Sequence, residues 1–249
     1  MSGDPTIAER FATARARIGE AARRAGRHPE EITLVGASKR QAPERVIAAV
    51  RAGLARVGES YAQEALPKLA EVQAALEGFG VNAPRWHFIG RLQSNKARAL
   101  AQAFDVVETV DRPALGAELD RRAGQFGRRL AVLLQVNLSG EPQKGGAAPE
   151  QLADLLAQST AWPQLDVVGL MTIPQAQPEP ERSRPAFARL RALRDELRGA
   201  PGGERLRELS MGMSGDYEVA IEEGATIVRL GTACLLYTSP SPRDQRPNR

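Results

Sequence analysis

A lysine follows the first strongly apolar run of the chain, in ITLVGASKRQ (residues 32–41), where a buried strand would end. The chain has 34 lysine and arginine residues, but only four are lysines, at positions 39, 68, 96 and 144. An arginine stays charged, whereas a lysine amine that loses its proton can condense with an aldehyde to form an imine. Lys39 is therefore a candidate for imine chemistry. The alternative is a solvated lysine that only ends the strand.

Two glycine-rich segments near the end of the chain could hold an anion. They are SMGMSGD (210–216), which contains Ser214, and RLGT (229–232), which contains Gly231 and Thr232. Glycines let backbone N–H groups approach an anion, and the loops after strands 7 and 8 are the recurrent phosphate site of α/β barrels. The pair of segments predicts a phosphate-bearing ligand. Ordinary glycine turns remain the alternative.

One aldehyde that also carries a phosphate is pyridoxal 5′-phosphate, so the lysine and the glycine segments together point to this cofactor. Arg229, two residues before Gly231, would point inward near the pyridine ring. An arginine beside the ring nitrogen keeps that nitrogen unprotonated and weakens the ring as an electron sink. The alternative for Arg229 is a salt bridge inside the mouth of a barrel.

Eight short apolar runs, alternating with longer amphipathic runs, would have to position these residues. The runs typical of strands span residues 32–38, 55–60, 86–91, 105–110, 130–137, 165–173, 206–213 and 226–233. The runs typical of helices lie near 43–53, 61–78, 94–103, 113–126, 149–159, 181–198 and 216–223, and a further helix near 7–26 precedes the first strand. This alternation predicts βα units and a parallel sheet.

Eight strands with intervening helices in 249 residues fit an α/β protein with a single (β/α)8 TIM barrel and an extra N-terminal helix. A doubly wound open sheet is the alternative. Such sheets usually have fewer strands and a G-x-G-x-x-G turn after the first strand, which GASKRQ does not match. In a barrel the carboxyl ends of all strands meet at one face, so Lys39 and the glycine segments would come together there.

The composition argues against several classes of protein. One cysteine and two histidines are too few for a typical metal site, and 4% aromatic residues with a formal charge of +4 do not resemble a nucleic-acid-binding surface. No apolar run approaches the roughly 20 residues needed to span a membrane, and the polar N-terminus does not resemble a signal peptide. We expect a cytoplasmic monomer that binds neither nucleic acid nor a membrane.

Six segments, in order along the chain, resemble one protein family. They are LVGASKRQ, VGESYAQEALPK, WHFIGRLQSNKAR, LLQVNLSGEPQKGG, GLMTIP and LSMGMSGDYEVAIEEGATIVRLGTA. The pyridoxal-phosphate homeostasis proteins (the YggS/PROSC family) are similar from about residue 7 to residue 233, and the third and last segments are the most specific. The resemblance implies a cofactor-binding barrel over residues 1–233, related in fold to the N-terminal barrel domain of alanine racemase.

The resemblance also implies roles for individual residues. Lys39 would form the internal aldimine with the cofactor, and Arg229 would face the ring nitrogen. Three residues would hold the phosphate: Ser214, Gly231 and Thr232. Three others would line the ring pocket: Asn137, Met171 and Met211. Ser60 departs from the family pattern, which often has asparagine there, and this leaves the contact at that position open.

The segment WHFIGRLQSNK contains a histidine and a polar stretch that need a separate interpretation. His87 lies within a predicted strand, two residues from the apolar Ile89, which favours a core histidine over a catalytic one. Residues 93–96 follow the strand end and could form a rim that faces a ligand or a partner.

Three functions are compatible with these features. By its resemblance, the protein would carry pyridoxal phosphate, maintain its intracellular level without catalysis, and pass it to apo-enzymes. A racemase would need a second acid–base group on the opposite face of the substrate, which in alanine racemases comes from a β domain after the barrel. The third possibility is an aldolase-like Schiff-base enzyme acting on a phosphorylated sugar. We expect the carrier, because no segment that could form that second domain follows the barrel.

The family resemblance stops after Ala233. Residues 234–249, CLLYTSPSPRDQRPNR, contain a stretch that matches the translation of a transposase-type sequencing adapter. We therefore expect this segment to be a non-native or disordered tail. A genuine lineage-specific tail is the alternative.

Overall fold

Eight parallel strands follow one another around a closed barrel in the order in which they occur in the chain. The computed structural model describes residues 5–141 and 145–231. The strands are β1 (Thr33–Ala37), β2 (Arg56–Glu59), β3 (Arg85–Phe88), β4 (Val106–Val110), β5 (Leu130–Val136), β6 (Leu165–Thr172), β7 (Glu208–Met213) and β8 (Ile227–Leu230). Because β8 pairs with β1, the sheet closes on itself. The predicted (β/α)8 barrel is confirmed, and the open-sheet alternative is wrong.

Helices surround the barrel and connect its strands. They are α1 (Ile7–Arg24), α2 (Pro43–Arg51), α3 (Ala62–Gly78), α4 (Ala97–Ala103), α5 (Pro113–Gln125), α6 (Leu152–Ser159), α7 (Arg184–Leu197) and α8 (Tyr217–Glu222). The extra helix α1 precedes β1, and a reciprocal capping box between Thr6 and Glu9 fixes its start. Among the described helices, none combines the length and the apolar character that crossing a membrane requires.

Two apolar layers hold the barrel together. The larger layer joins the outward side chains of the strands, such as Val57 and Leu134, to the apolar faces of the helices. The smaller layer fills the inside of the barrel and consists of Val35, Val106, Leu133, Val168, Met171 and Ile227. Successive residues of a strand point to opposite sides of the sheet, so the near-continuous apolar strands supply both layers.

Gly212 allows β7 to bend near its carboxyl end. Its φ is 92°, and the strand register is irregular between Ser210 and Met213. A Cβ atom at this position would lie 2.6 Å from the Cβ of Ala220 and 2.9 Å from the Cα of Tyr217. Both the left-handed conformation and the close approach of α8 therefore require glycine here.

We expect Gly212→Ala to lower the free energy of unfolding by about 1–3 kcal/mol, because alanine combines backbone strain with overpacking. Urea unfolding followed by circular dichroism measures this change. Gly78→Ala is the control, since nothing lies within 4 Å of a Cβ at that helical position. Equal stability of the two variants would show that β7 tolerates a side chain at its bend.

Candidate functional site

The carboxyl ends of β7, β8 and β1 lie side by side at one face of the barrel. Met213 is opposite Arg229 in the β7–β8 pair, and Gly36 is opposite Leu230 in the β8–β1 pair. The chain segments that leave these three strands carry Ser214, Gly231 and Lys39 respectively. The structure therefore places the candidate lysine and both glycine-rich segments at the ends of three consecutive strands, on one face of the barrel. We call this face the mouth.

Lys39 lies in a turn two residues after the end of β1, and its side chain is exposed. The preceding residue, Ser38, is fully buried, and its hydroxyl donates a 2.6 Å hydrogen bond to Oε1 of Glu59. A small molecule at the mouth could therefore reach the Lys39 amine, while the chain beside it is held in place.

Arg229 extends from β8 into the interior of the barrel and is only 4% exposed. Its Nη1 donates to the hydroxyl of Ser210 at 2.5 Å, and its Nη2 donates to the carbonyl of Thr172 at 2.8 Å. Nη1 also lies 3.8 Å from Oε2 of Glu108, within ion-pair distance. Residues of three other strands, β4, β6 and β7, thus orient Arg229. Its contact with Glu108 is the salt bridge that the sequence offered as the alternative role of this arginine.

Glu108 links Arg229 to His87 through the centre of the barrel. Its Oε1 lies 2.6 Å from Nδ1 of His87, and its Oε2 accepts a 2.5 Å hydrogen bond from the hydroxyl of Ser210. His87 is 3% exposed, as expected for a core histidine, and its Nε2 has no hydrogen-bond partner among the described residues. We call His87, Glu108, Ser210 and Arg229 the buried network.

The buried network favours opposite charges on Glu108 and Arg229. Burial by itself would raise the pKa of Glu108, but the hydrogen bond and charge of His87, the charge of Arg229 and the hydroxyl of Ser210 outweigh it, so that the pKa lies below its ordinary value. Burial lowers the pKa of Arg229, and the charges of Glu108 and Asp216 oppose this effect. The carboxylate thus offsets part of the cost of burying the guanidinium.

The residues predicted to line a ring pocket lie in different environments. Asn137 follows β5; its Nδ2 donates to the carbonyl of Glu141 at 2.9 Å, and its Oδ1 accepts from the amide of Ser139 at 3.2 Å. Met171 is fully buried in the inner layer, opposite Ser210 in the β6–β7 pair. Asn137 thus shapes the loop after β5, and Met171 forms part of the floor below the mouth.

The structure corrects the expected position of Met211. Met211 is fully buried in the outer layer, between the barrel and the helices. Its neighbour Ser210 points inward to the buried network, so the alternation of side chains along β7 turns Met211 away from the interior. Met211 is therefore not placed to contact a ligand at the mouth.

Two of the three residues predicted to hold the phosphate, Ser214 and Gly231, lie within the described part of the chain. Ser214 and Gly231 are half-buried at the ends of β7 and β8. Asp216 follows the first of these segments and accepts hydrogen bonds from the amide of Met213 at 2.8 Å and from the hydroxyl of Ser183 at 3.0 Å, which orders the turn. Thr232 and the predicted tail, residues 234–249, lie outside the described residues.

A polar cavity of about 830 Å³ lies beside the mouth, after β3 and β4. Arg91, Gln93, Asn95 and Arg112 are among the side chains that line it. Arg112 is engaged by the Asp111 carboxylate at 2.6 Å. Most of the polar stretch 93–96 therefore forms a rim, as the sequence pattern allowed.

Sequence reasoning missed the acidic members of the site. Glu108 occupies the middle of β4, a strand in which every residue is buried. A carboxylate in such an apolar strand is itself a signal, because a buried charge must be paired. Glu59 and Lys68, buried beside the Lys39 turn, could have been found in the same way.

Comparison with known protein families shows the class to which this barrel belongs. The family described as "Alanine racemase, N-terminal domain" matches residues 9–239. The closed parallel barrel with a lysine after its first strand and an arginine on its last is therefore of the alanine racemase N-terminal class.

Within that class, the chain belongs to the pyridoxal phosphate homeostasis protein family, as its sequence segments predicted. It is 44% identical over 224 residues to the pyridoxal phosphate homeostasis protein of Aquifex aeolicus, covering 90% of this chain and 95% of that protein. The corresponding protein of Pseudomonas aeruginosa is 46% identical over 228 residues, 92% of this chain and 94% of that protein. PipY of Synechococcus elongatus, solved with pyridoxal phosphate bound, superimposes with a TM-score of 0.79 at 34% identity, covering 93% of this chain and 100% of PipY.

Proposed function

We propose that this protein binds pyridoxal 5′-phosphate through Lys39 and acts in the cytoplasm as a carrier that maintains the supply of the cofactor, without a reaction of its own. The observation that supports this most is the exposed lysine after β1, on the same face of the barrel as the glycine-rich ends of β7 and β8. The names of the relatives and the cofactor bound to PipY point the same way.

The residues at the mouth fit the chemistry of this cofactor. Its aldehyde needs an accessible amine, its phosphate needs hydrogen-bond donors, and its ring nitrogen needs a partner. Lys39 supplies the amine, Ser214 and the backbone around Gly231 supply donors, and Arg229 supplies a guanidinium. Arg229 has five N–H donors, and the two described hydrogen bonds leave others for a ring acceptor.

Attachment requires a neutral Lys39 amine. The amine nitrogen attacks the aldehyde carbon, the carbonyl oxygen leaves as water, and one C=N double bond replaces one C=O double bond. No electrons are exchanged with an outside donor or acceptor, so hydrolysis returns both partners unchanged. This reversibility suits a protein that stores a reactive aldehyde and releases it to apo-enzymes.

The same geometry supports a carrier over a racemase. A racemase needs a second acid–base group on the face of the substrate opposite the lysine. Of the two tyrosines in the described residues, Tyr61 is 48% exposed at the start of α3, and Tyr217 is buried in the outer layer, where burial raises its pKa.

We expect Ser214→Ala to weaken retention of pyridoxal phosphate about tenfold to a hundredfold, because a hydrogen bond to a charged group contributes about 1.5–3 kcal/mol. Equilibrium dialysis of the protein against the cofactor measures this. Ser159→Ala, which removes a buried hydroxyl bonded to the Leu156 carbonyl on α6, is the control. Retention equal in both variants would remove Ser214 from the site.

The loaded wild-type protein is also expected to restore the activity of an apo-enzyme that depends on pyridoxal phosphate, and not to racemise alanine above a blank. Reactivation is followed with the recipient's own assay, and racemisation by chiral chromatography. Racemisation that disappears in Lys39→Ala would instead establish the racemase.

A further inference from the structure

Lys68 is a buried lysine that holds the turn containing Lys39. We propose that Lys68, with Glu59 and Glu64, positions the backbone of Lys39 for imine formation. We call these three residues the Lys68 cluster. The inference rests on the proposed function, since it assigns residues that act on the lysine through which the cofactor binds.

Lys68 donates to three acceptors around the Lys39 turn. Its Nζ lies 2.7 Å from Oε1 of Glu59, 3.0 Å from Oε1 of Glu64 and 2.9 Å from the carbonyl oxygen of Ser38. Lys68 is 5% exposed and Glu59 is fully buried. An ammonium has three N–H donors, and all three have an acceptor here. Because its nitrogen is committed to these hydrogen bonds, Lys68 does not compete with Lys39 as a nucleophile.

Both backbone neighbours of Lys39 are held by this cluster. On one side, Lys68 binds the carbonyl of Ser38. On the other side, the backbone N–H of Arg40 donates to Oε1 of Glu64 at 2.6 Å. Ser38 is also fixed through its hydroxyl, which donates to Glu59. The peptide groups on either side of Lys39 are therefore tied to β2 and α3.

The conformation that the cluster holds is an unfavourable one. Arg40 has a φ of 59°, and among the described residues it is the only one other than glycine with a positive φ. A residue with a Cβ pays about 1 kcal/mol or more for this left-handed conformation, so it persists only where the surroundings enforce it. The hydrogen bond from Arg40 to Glu64 and the contacts of Lys68 are those surroundings.

Holding this turn matters for the chemistry of Lys39. Condensation with an aldehyde needs the amine to approach the carbonyl carbon along a defined direction, and a displacement of about 1 Å can slow such a step a hundredfold. Lys39 itself is exposed, so its own side chain does not restrict the position of its Cα atom. The Lys68 cluster supplies that restriction from outside the cofactor site.

The test compares Glu64→Ala, Glu64→Gln and Lys68→Met with wild type, using the rate at which added pyridoxal phosphate forms an imine, followed by absorbance. Thermal unfolding of each protein without cofactor is measured in parallel. We expect Glu64→Ala and Lys68→Met to slow imine formation about tenfold to a hundredfold. Glu64→Gln, which keeps the acceptor oxygen for Arg40 and Lys68, is expected to react at nearly the wild-type rate. Glu71→Ala, at an exposed position on α3, is the control.

The outcomes separate this inference from the proposed function. If wild type forms an imine at Lys39 and Glu64→Ala forms it equally fast, the positioning role is wrong, even if the variant unfolds at a lower temperature. If glutamine at position 64 is as slow as alanine, the acceptor oxygen is not the cause and the inference also fails. If wild type forms no imine, the proposed function is wrong and the inference falls with it. Should Lys68→Met not fold, the two Glu64 variants decide.

Discussion

Lys39→Ala is expected to abolish covalent attachment of pyridoxal phosphate. Wild-type protein mixed with the cofactor should be yellow, with an absorption band that borohydride bleaches, because hydride reduces the C=N bond to a stable secondary amine. Mass spectrometry of the digested protein should then place the cofactor on the peptide that contains Lys39. In the alanine variant both the reducible band and the labelled peptide should be absent.

A matched control separates this result from nonspecific labelling of lysines. Lys96→Ala removes a half-buried lysine that follows the polar rim and should leave the band and the label on Lys39 intact. Dialysis should show that Lys39→Ala still binds the cofactor weakly through the phosphate contacts. A reducible band of wild-type intensity in Lys39→Ala would mean that another amine forms the imine.

The second large effect is expected in the buried network. Glu108→Gln should lower the free energy of unfolding by about 3–5 kcal/mol, because it leaves the buried charge of Arg229 without its compensating carboxylate. It also replaces an acceptor of the Ser210 hydroxyl and the partner of His87 Nδ1. Urea unfolding at neutral pH measures the loss, with Glu118→Gln as control. Glu118 pairs with Arg121 and Arg122 at the surface, where ion pairs contribute little.

The effect of Glu108→Gln should also depend on pH. The pKa of Glu108 is lower in the folded protein than its ordinary value, so ionised Glu108 stabilises the fold above the pKa of an unfolded glutamate, about 4.3. This stabilisation is lost as the pH falls through the folded-state pKa. The difference in the free energy of unfolding between wild type and Glu108→Gln should therefore become smaller at acidic pH. A difference that is small at neutral pH, or equal to that of Glu118→Gln, would show that the carboxylate does not compensate Arg229.

The amino-acid sequence by itself determined the fold and indicated the kind of chemistry to expect. Alternating apolar and amphipathic runs predicted every strand and helix to within about one helical turn, because local periodicity reflects which side chains face the core. The rarity of lysine drew attention to Lys39, and the two glycine-rich segments indicated where a phosphate would bind. The order of strands around the barrel followed from right-handed βα units of ordinary length.

Only the tertiary structure decided which polar residues act together. His87, Glu108, Ser210 and Arg229 lie on four different strands, and the closure of the barrel brings them within hydrogen-bond distance. Such pairing depends on strand stagger and side-chain direction, which no local pattern encodes.

The direction of individual side chains was likewise a tertiary result. Two neighbours on β7, Ser210 and Met211, point to opposite sides of the sheet. Because Ser210 points inward to the buried network, Met211 points outward. Lys68 appeared in the sequence as one lysine of a helical run, yet its Nζ binds the carbonyl of Ser38 after β1 and the carboxylate of Glu59 at the end of β2. A buried charge needs partners at a distance along the chain, and folding alone selects them.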